Sequence, residues 1–333
     1  QWVVTDVLGF DQKGENLFFT STKASPLENH PYKVNIETGK ITQLSSIEGR
    51  HSCTLSPDGH FLFDKYSNTN KPSVVSIINS EGKVVQKLLD AENPLKDYKL
   101  GDMEIGTIKA ADGETDIYYR LIKPVNFDPS EKYPAIIYVY GGPHAQLINK
   151  SWMGGARLWQ YYMAQEGYVM LTIDNRGSAN RGFDFESIIH RNLGVEELDD
   201  QMEGVKFLKQ LGYVDENRIG VHGWSYGGFM TTSLMLKHNE TFKVGVAGGP
   251  VMDWKYYEVM YGERYMDMPD ENPDGYANAR LTDKTDQLKG KLLLIHGYVD
   301  NVVVPQHSLD FIQNCIKNNK QLDFFFYPRA EHN

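Results

Sequence analysis

Three residues are of the types, and in the order, that acyl transfer needs: Ser225, Asp300 and His332. Ser225 lies within Gly223-Trp224-Ser225-Tyr226-Gly227-Gly228. The apolar run Ile219-Gly220-Val221-His222 precedes it, and Phe229-Met230-Thr231-Thr232-Ser233-Leu234-Met235-Leu236, which reads as a helix, follows. A strand that turns into a helix around one residue leaves no room for side chains at Gly223 and Gly227. The same tight turn pushes the serine hydroxyl out of the backbone. A hydroxyl becomes a useful nucleophile only when a base takes its proton, and the base needs an acid to orient it. Asp300 closes His296-Gly297-Tyr298-Val299-Asp300 after the apolar run Leu292-Leu293-Leu294-Ile295. His332 closes Tyr327-Pro328-Arg329-Ala330-Glu331-His332 after Phe324-Phe325-Phe326. Each stands just past the carboxyl end of an expected strand. The competing readings are plain: Asp300 as a helix cap or loop acid, His332 as a surface-loop histidine. His296 is the rival base. It is expected to be a packing residue, because a base so near Asp300 in sequence leaves His332 without a task.

A tetrahedral intermediate also needs hydrogen-bond donors for its oxyanion. The backbone N–H of Tyr226, the residue after the nucleophile, is one. The second is expected from Tyr140-Gly141-Gly142-Pro143, either as a backbone N–H or as the Tyr140 hydroxyl. An ordinary sharp turn is the competing reading of that Gly-Gly-Pro.

The elements that must position these residues change character along the chain. Over the first ~90 residues, short β-rich runs (17–20, 32–36, 51–55, 61–63 and 74–78) alternate with turns such as Ser56-Pro57-Asp58-Gly59 and Ser80-Glu81-Gly82-Lys83. The pattern comes twice, each unit about as long as one four-stranded propeller blade. A β-sandwich is the alternative. From about Asp97, apolar strands (117–122, 135–140, 169–173, 219–221, 244–247, 292–295 and 324–327) alternate with helical stretches (158–166, 195–211, 229–237 and 307–317). This pattern predicts a mainly parallel sheet covered on both faces. With the strand–turn–helix at Ser225 it predicts an α/β-hydrolase. Residues 1–96 are expected as the last blades of an incomplete β-propeller, and 97–333 as the hydrolase domain.

Composition narrows the function classes. In 333 residues, 41% are hydrophobic and 23% charged, as in a soluble globular protein. The formal net charge of -10 argues against a nucleic-acid partner. No apolar run is long enough to span a membrane. No metal-binding or nucleotide-binding motif occurs, so neither a metal nor a cofactor is expected. Cys53 and Cys315 fall in different expected domains and read as free thiols. Gln1-Trp2-Val3-Val4 resembles the inside of a strand, so the sequence is expected to start within a longer protein.

Four segments carry a family resemblance: Val139-Tyr140-Gly141-Gly142-Pro143, Asp174-Asn175-Arg176-Gly177-Ser178, Gly223-Trp224-Ser225-Tyr226-Gly227-Gly228 and His296-Gly297 with Asp300. They resemble the prolyl oligopeptidase family of serine peptidases, over nearly all of 97–333 and more weakly over the blades. The run from Val251 through Trp254, Tyr257, Tyr261 and Glu263-Arg264-Tyr265 is similar to its dipeptidyl peptidase IV branch. Val302-Val303-Val304, Gln306-His307-Ser308 and Glu331-His332-Asn333 are most similar to that branch's bacterial tripeptide-releasing members; the dipeptidyl enzymes carry Asn at the position of Val302.

The resemblance implies a hydrolase domain capped by a propeller, with the site at their interface. It assigns Tyr140 as the hydroxyl donor of the oxyanion hole. It implies a proline pocket from Tyr226, Val251, Trp254, Tyr257, Tyr261 and Val303, the rings at helix-like spacing after Val251. Stacked rings suit proline, which is rigid and offers no amide N–H. Glu258 and Glu263 become candidates for binding a substrate ammonium. The expected activity is release of Xaa-Xaa-Pro tripeptides from free peptide N-termini, with Xaa-Pro dipeptide release as the alternative and a non-catalytic peptide-binding homologue as a third. Expected partners are peptides with proline before the cleaved bond, and a homodimer stays open. The resemblance suggests the periplasm or cell surface of a bacterium. Relatives continue beyond the position of Asn333 into a closing helix and carry more propeller upstream, so this fragment alone is expected to be inactive.

Overall fold

The computed structural model describes residues 1–332 and divides into two compact units. The first comprises Gln1–Lys99 with the segments Gln146–Leu158 and Ala179–Phe183; the second comprises Leu100–Ala145, Trp159–Ser178 and the chain from Asp184 onward.

The first unit holds two four-stranded antiparallel sheets in simple meander order. One runs β1 (Val4–Phe10), β2 (Asn16–Ser21), β3 (His30–Asn35) and β4 (Ile41–Gln43). The other runs β5 (Arg50–Leu55), β6 (Phe61–Asn68), β7 (Lys71–Asn79) and β8 (Val84–Asp90). Exposure alternates along β6, where Leu62 and Asp64 are buried while Phe61 and Phe63 are exposed, the period-two pattern of an antiparallel strand with one covered face. Phe18, Leu44, Leu62 and Ile78 form the small core. The two blade-sized repeats therefore appear as two propeller-like blades. The sequence pattern had no signal for the three-residue β4 or for β8, whose side chains are exposed throughout.

The second unit is an α/β-hydrolase. Its eight strands are β9 (Met103–Lys109), β10 (Asp116–Ile122), β11 (Tyr133–Tyr138), β12 (Val169–Asp174), β13 (Val214–Trp224), β14 (Val244–Gly248), β15 (Lys291–Gly297) and β16 (Asp323–Tyr327). Their order across the sheet is β16-β15-β14-β13-β11-β12-β10-β9. The five pairings from β16 to β12 are parallel, and β10 pairs antiparallel with both β12 and β9. Every residue of β12 is buried, as expected of a strand covered on both faces. The helices are α1 (Leu158–Gln165), α2 (Phe183–Ser187), α3 (Glu196–Gln210), α4 (Tyr226–Lys237), α5 (Val259–Met266), α6 (Pro273–Ala279) and α7 (Gln306–Lys317). Eleven of the twelve residues of α4 are buried, so the helix that follows Ser225 runs through the core. Cys53 and Cys315 are free and buried. No described helix is long and apolar enough to cross a membrane.

Candidate active site

The sheet delivers four candidate residues to one edge. Tyr140, Ser225, Asp300 and His332 follow β11, β13, β15 and β16 respectively. Ligands of such sheets bind at the carboxyl ends of the strands.

Ser225 joins β13 to α4 with φ 62° and ψ -118°, a strained conformation for a residue with a side chain. Two glycines permit it. A Cβ on Gly223 would stand 2.3 Å from the Val139 carbonyl oxygen and 2.4 Å from that of Gly227; one on Gly227 would stand 2.3 Å from the same Val139 oxygen. The Ser225 N–H donates to the Gly248 carbonyl at 2.8 Å, and its own carbonyl accepts from Gly228 and Phe229. The turn is held on both sides by backbone.

His332 is 9% exposed and contacts Asp300 through Nδ1, 2.7 Å from Oδ2. Asp300 is buried, and its other oxygen, Oδ1, accepts the Val302 and Val303 N–H groups at 2.9 Å each. With Nδ1 engaged by the carboxylate, Nε2 is the nitrogen left for a serine proton. A second bond ties the histidine to the elbow: Trp224, next to Ser225, donates Nε1–H to the His332 carbonyl at 2.8 Å. The imidazole lies beside Gly249, where a Cβ would come 3.1 Å from its Cε1.

His296 is packed as the sequence reading expected. Its Nδ1 meets Ser308 Oγ and its Nε2 meets the Val303 carbonyl, both at 2.7 Å, and burial pulls its pKa below the usual imidazole range. It braces the loop that carries the Asp300 partners.

Tyr140 and Tyr226 stand with ring centroids 6.0 Å apart. A Cβ on Gly142 would lie 2.8 Å from both rings, so glycine there lets them close. Burial raises the Tyr140 pKa, keeping its hydroxyl a proton donor. The loop that follows Tyr140 is pinned by Asn175, whose Nδ2 donates to the Gly141 carbonyl at 3.1 Å and whose Oδ1 accepts from Gln201 at 2.9 Å. Next in chain, Arg176 binds Asp200 through Nε and a terminal nitrogen and reaches Glu196 at 2.9 Å. The Asp174-Asn175-Arg176 segment is thus scaffolding for the loop that carries Tyr140.

The aromatic residues form one cluster. Trp254 is buried, stacks on Tyr261 at 5.9 Å with a 9° interplanar angle, and packs against Tyr226 and Tyr257 at 5.3 and 5.5 Å. Val251 and Val303 are fully buried. The helix-like spacing does not come from one helix. Trp254 opens a short 3-10 turn, Tyr257 is extended at φ -82° and ψ 160°, and only Tyr261 lies within α5. Burial pushes Tyr257 up to about 12 and Tyr261 well above the usual tyrosine range. His307, which the sequence reading used only for resemblance, supports this segment: its Nδ1 accepts the Met252 N–H at 3.1 Å, and burial pulls its pKa down to about 4.

The two acidic candidates separate. Glu258 is exposed and caps α5, accepting the Met260 N–H at 3.0 Å, and its charge is felt by Tyr257. Glu263 lies within α5, where its charge is felt by Tyr276. Two neighbours of the site carried no sequence signal. They are the Trp224 indole N–H and the buried acid Glu197, whose Oε1 accepts the Tyr226 hydroxyl at 2.5 Å. No group of metal-ligating side chains occurs among the described residues.

Residues 156–333 match the model of the prolyl oligopeptidase family, and residues 1–73 match that of the dipeptidyl peptidase IV N-terminal region. Mouse dipeptidyl peptidase 8 is 36% identical over 97% of this chain and 37% of its own length. Among solved structures, a candidate dipeptidyl aminopeptidase IV from Bacteroides ovatus superposes with a TM-score of 0.95 at 52% identity, covering all of this chain and 47% of that one. Dipeptidyl peptidase 4 from Porphyromonas gingivalis superposes at 0.94 with 34% identity, over 99% of this chain and 47% of its own. The chain thus spans between about a third and a half of the length of these relatives, 37% of one and 47% of the other two.

Proposed function

The chain belongs to the prolyl oligopeptidase family, and on that footing we propose that the whole protein is a serine exopeptidase removing short proline-ended peptides from free N-termini. The observation that carries the proposal is His332, whose imidazole meets Asp300 through Nδ1 and whose backbone carbonyl accepts from Trp224, the residue before Ser225.

In this reading Ser225 Oγ attacks the carbonyl after proline and His332 Nε2 takes its proton. The negative charge on the carbonyl oxygen is met by the Tyr140 hydroxyl and the Tyr226 N–H. Collapse of the intermediate breaks the C–N bond, and His332 returns the proton to the leaving amine. Water then hydrolyses the acyl-enzyme by the same route. Asp300 steadies the imidazolium without taking its proton. The cluster of Tyr226, Trp254, Tyr257 and Tyr261, with Val251 and Val303, receives the proline ring.

For the length of the released peptide we propose three residues. Support comes from Glu258, whose exposed carboxylate keeps one oxygen outside its cap, and from the apolar Val302. A tripeptide ammonium lies about 3.3–3.6 Å farther from the serine than a dipeptide one. Release of dipeptides is the second reading, favoured by the activity in the names of the relatives. An assay of the full-length protein on Xaa-Pro and Xaa-Xaa-Pro chromogenic substrates separates the two. Faster release from Xaa-Xaa-Pro is expected; faster release from Xaa-Pro establishes the second reading.

A further inference from the structure

The first turn of α3 places an acid where an apolar residue would cost less. Glu197 is fully buried, and its carboxylate collects three donors: the Tyr226 hydroxyl on Oε1 at 2.5 Å, and the Gly194 and Val195 N–H groups on Oε2 at 3.0 and 3.1 Å. Burying an ionisable group is expensive unless its hydrogen bonds are satisfied, and here they are.

The 194–197 segment grips α4 at both ends. At the far end, Lys237 donates to the Gly194 carbonyl at 3.1 Å. Nearer the elbow, the Phe229 ring lies so close to Gly194 that a Cβ there would stand 2.6 Å from Cζ. At the near end stands Tyr226, the first residue of α4, whose N–H, like other first-turn amides, has no carbonyl within the helix. Its ring is wedged among Tyr140, Phe229 and Trp254. The hydroxyl bond to Glu197 fixes how that ring sits, and the ring leads by one residue of chain to Ser225.

We infer that Glu197 is a positioning residue for Ser225 chemistry, acting through the Tyr226 hydroxyl to aim both the Tyr226 N–H and the serine. The inference rests on the reading of Ser225 as the nucleophile. Burial pushes the Glu197 pKa up to about 7 and holds that of Tyr226 well above its usual value, so the proton of the shared bond stays on the tyrosine while Glu197 is ionised. Were Glu197 protonated, two N–H donors already face Oε2, so the proton would sit on Oε1 and reverse the bond.

The test is the rate at which a fluorophosphonate labels Ser225 in the full-length protein, a readout independent of which peptide is cleaved. Wild type, Glu197→Gln, Tyr226→Phe and the double variant are compared, with melting curves for each. Each single change is expected to slow labelling by about ten- to a hundredfold, and the double variant to label no more slowly than the slower single one. A wild-type rate in either single variant overturns the inference, and so do additive losses in the double variant. If Glu197→Gln does not fold, Tyr226→Phe, which keeps the ring, decides alone. Wild type that labels but cleaves no proline peptide overturns the proposed function and leaves this inference standing; wild type that does not label overturns both.

Discussion

Ser225 and His332 are brought to the same edge of the sheet by different kinds of force. Ser225 sits in a turn with no slack, between a strand at the centre of the sheet and a helix buried over eleven of its twelve residues. His332 follows β16, the outermost strand, where Phe324, Phe325 and Tyr327 are each more than half exposed. Steric exclusion and backbone hydrogen bonds fix the serine; two hydrogen bonds, one to the Asp300 carboxylate and one from the Trp224 indole, hold the histidine. The serine arm should therefore break when an atom is added and the histidine arm when one is taken away.

The largest effect is expected on the histidine arm. Asp300→Asn keeps the shape but removes the charge that steadies the imidazolium and selects its tautomer. Steady-state kinetics should show kcat falling about ten-thousandfold, with the melting temperature nearly unchanged. A loss below tenfold would mean that Asp300 is not the orienting acid. On the serine arm, Gly227→Ala puts a Cβ 2.3 Å from the Val139 oxygen, a backbone atom that cannot swing aside. It should cost about 1–3 kcal/mol of stability, as overpacking does, and reduce turnover with it. Denaturant unfolding measures this, and an unchanged midpoint would show that the elbow has slack after all.

Smaller effects sharpen the contrast. Trp224→Phe keeps a ring but deletes the N–H that reaches the His332 carbonyl at 2.8 Å. A net hydrogen bond is worth about 0.5–1.5 kcal/mol, so kcat should fall roughly tenfold at most, with stability little changed. Unchanged kcat would leave Asp300 as the sole tether. The last effect is one of pH dependence and concerns Glu197. Burial raises its pKa from 4.5 to about 7, so between those values the folded state binds more protons than the unfolded chain. Its contribution to stability is complete below pH 4.5 and lost as pH rises through about 7. The charge of Glu197 is felt by Lys237, Tyr226 and Tyr261, and Lys237 also feels that of Asp199. Glu197→Gln cannot titrate, so its stability relative to wild type should improve from pH ~5 to pH ~8, as the linkage requires. Unfolding curves at the two pH values check this, and a gap that does not move would mean that Glu197 is not titrating there.

The fold was readable because its signals are local. Apolar runs in β12, β14 and β15 alternate with amphipathic helices, and the blade strands lie between turn residues. The placement of Ser225, Asp300, His332 and Tyr140 was readable because each follows the end of a strand. Glu197, Asp200 and Gln201 were not, although all three are fully buried. Acidic residues in a first helical turn ordinarily read as favourable partners of the helix dipole in solvent. The amphipathic stripe of α3 follows Leu198, Val205 and Leu208 and says nothing of the polar residues buried beside them. The aromatic segment misled in another way: its spacing looked helical, while the chain there is a 3-10 turn, an extended link and then a helix.

By itself the sequence determined the elbow, the alternation of strand and helix, and the strand ends at which Ser225, Asp300 and His332 emerge. Each of these depends on neighbours a few residues apart, where glycine sterics and periodicity act. Only the tertiary structure decided which side chains meet. The Tyr226–Glu197 bond spans 29 positions and the Trp224–His332 bond spans 108. Such pairings depend on how α3 packs on α4 and how β16 is placed beside β15. The burial pattern of a segment says which face points inward, but not which partner waits there.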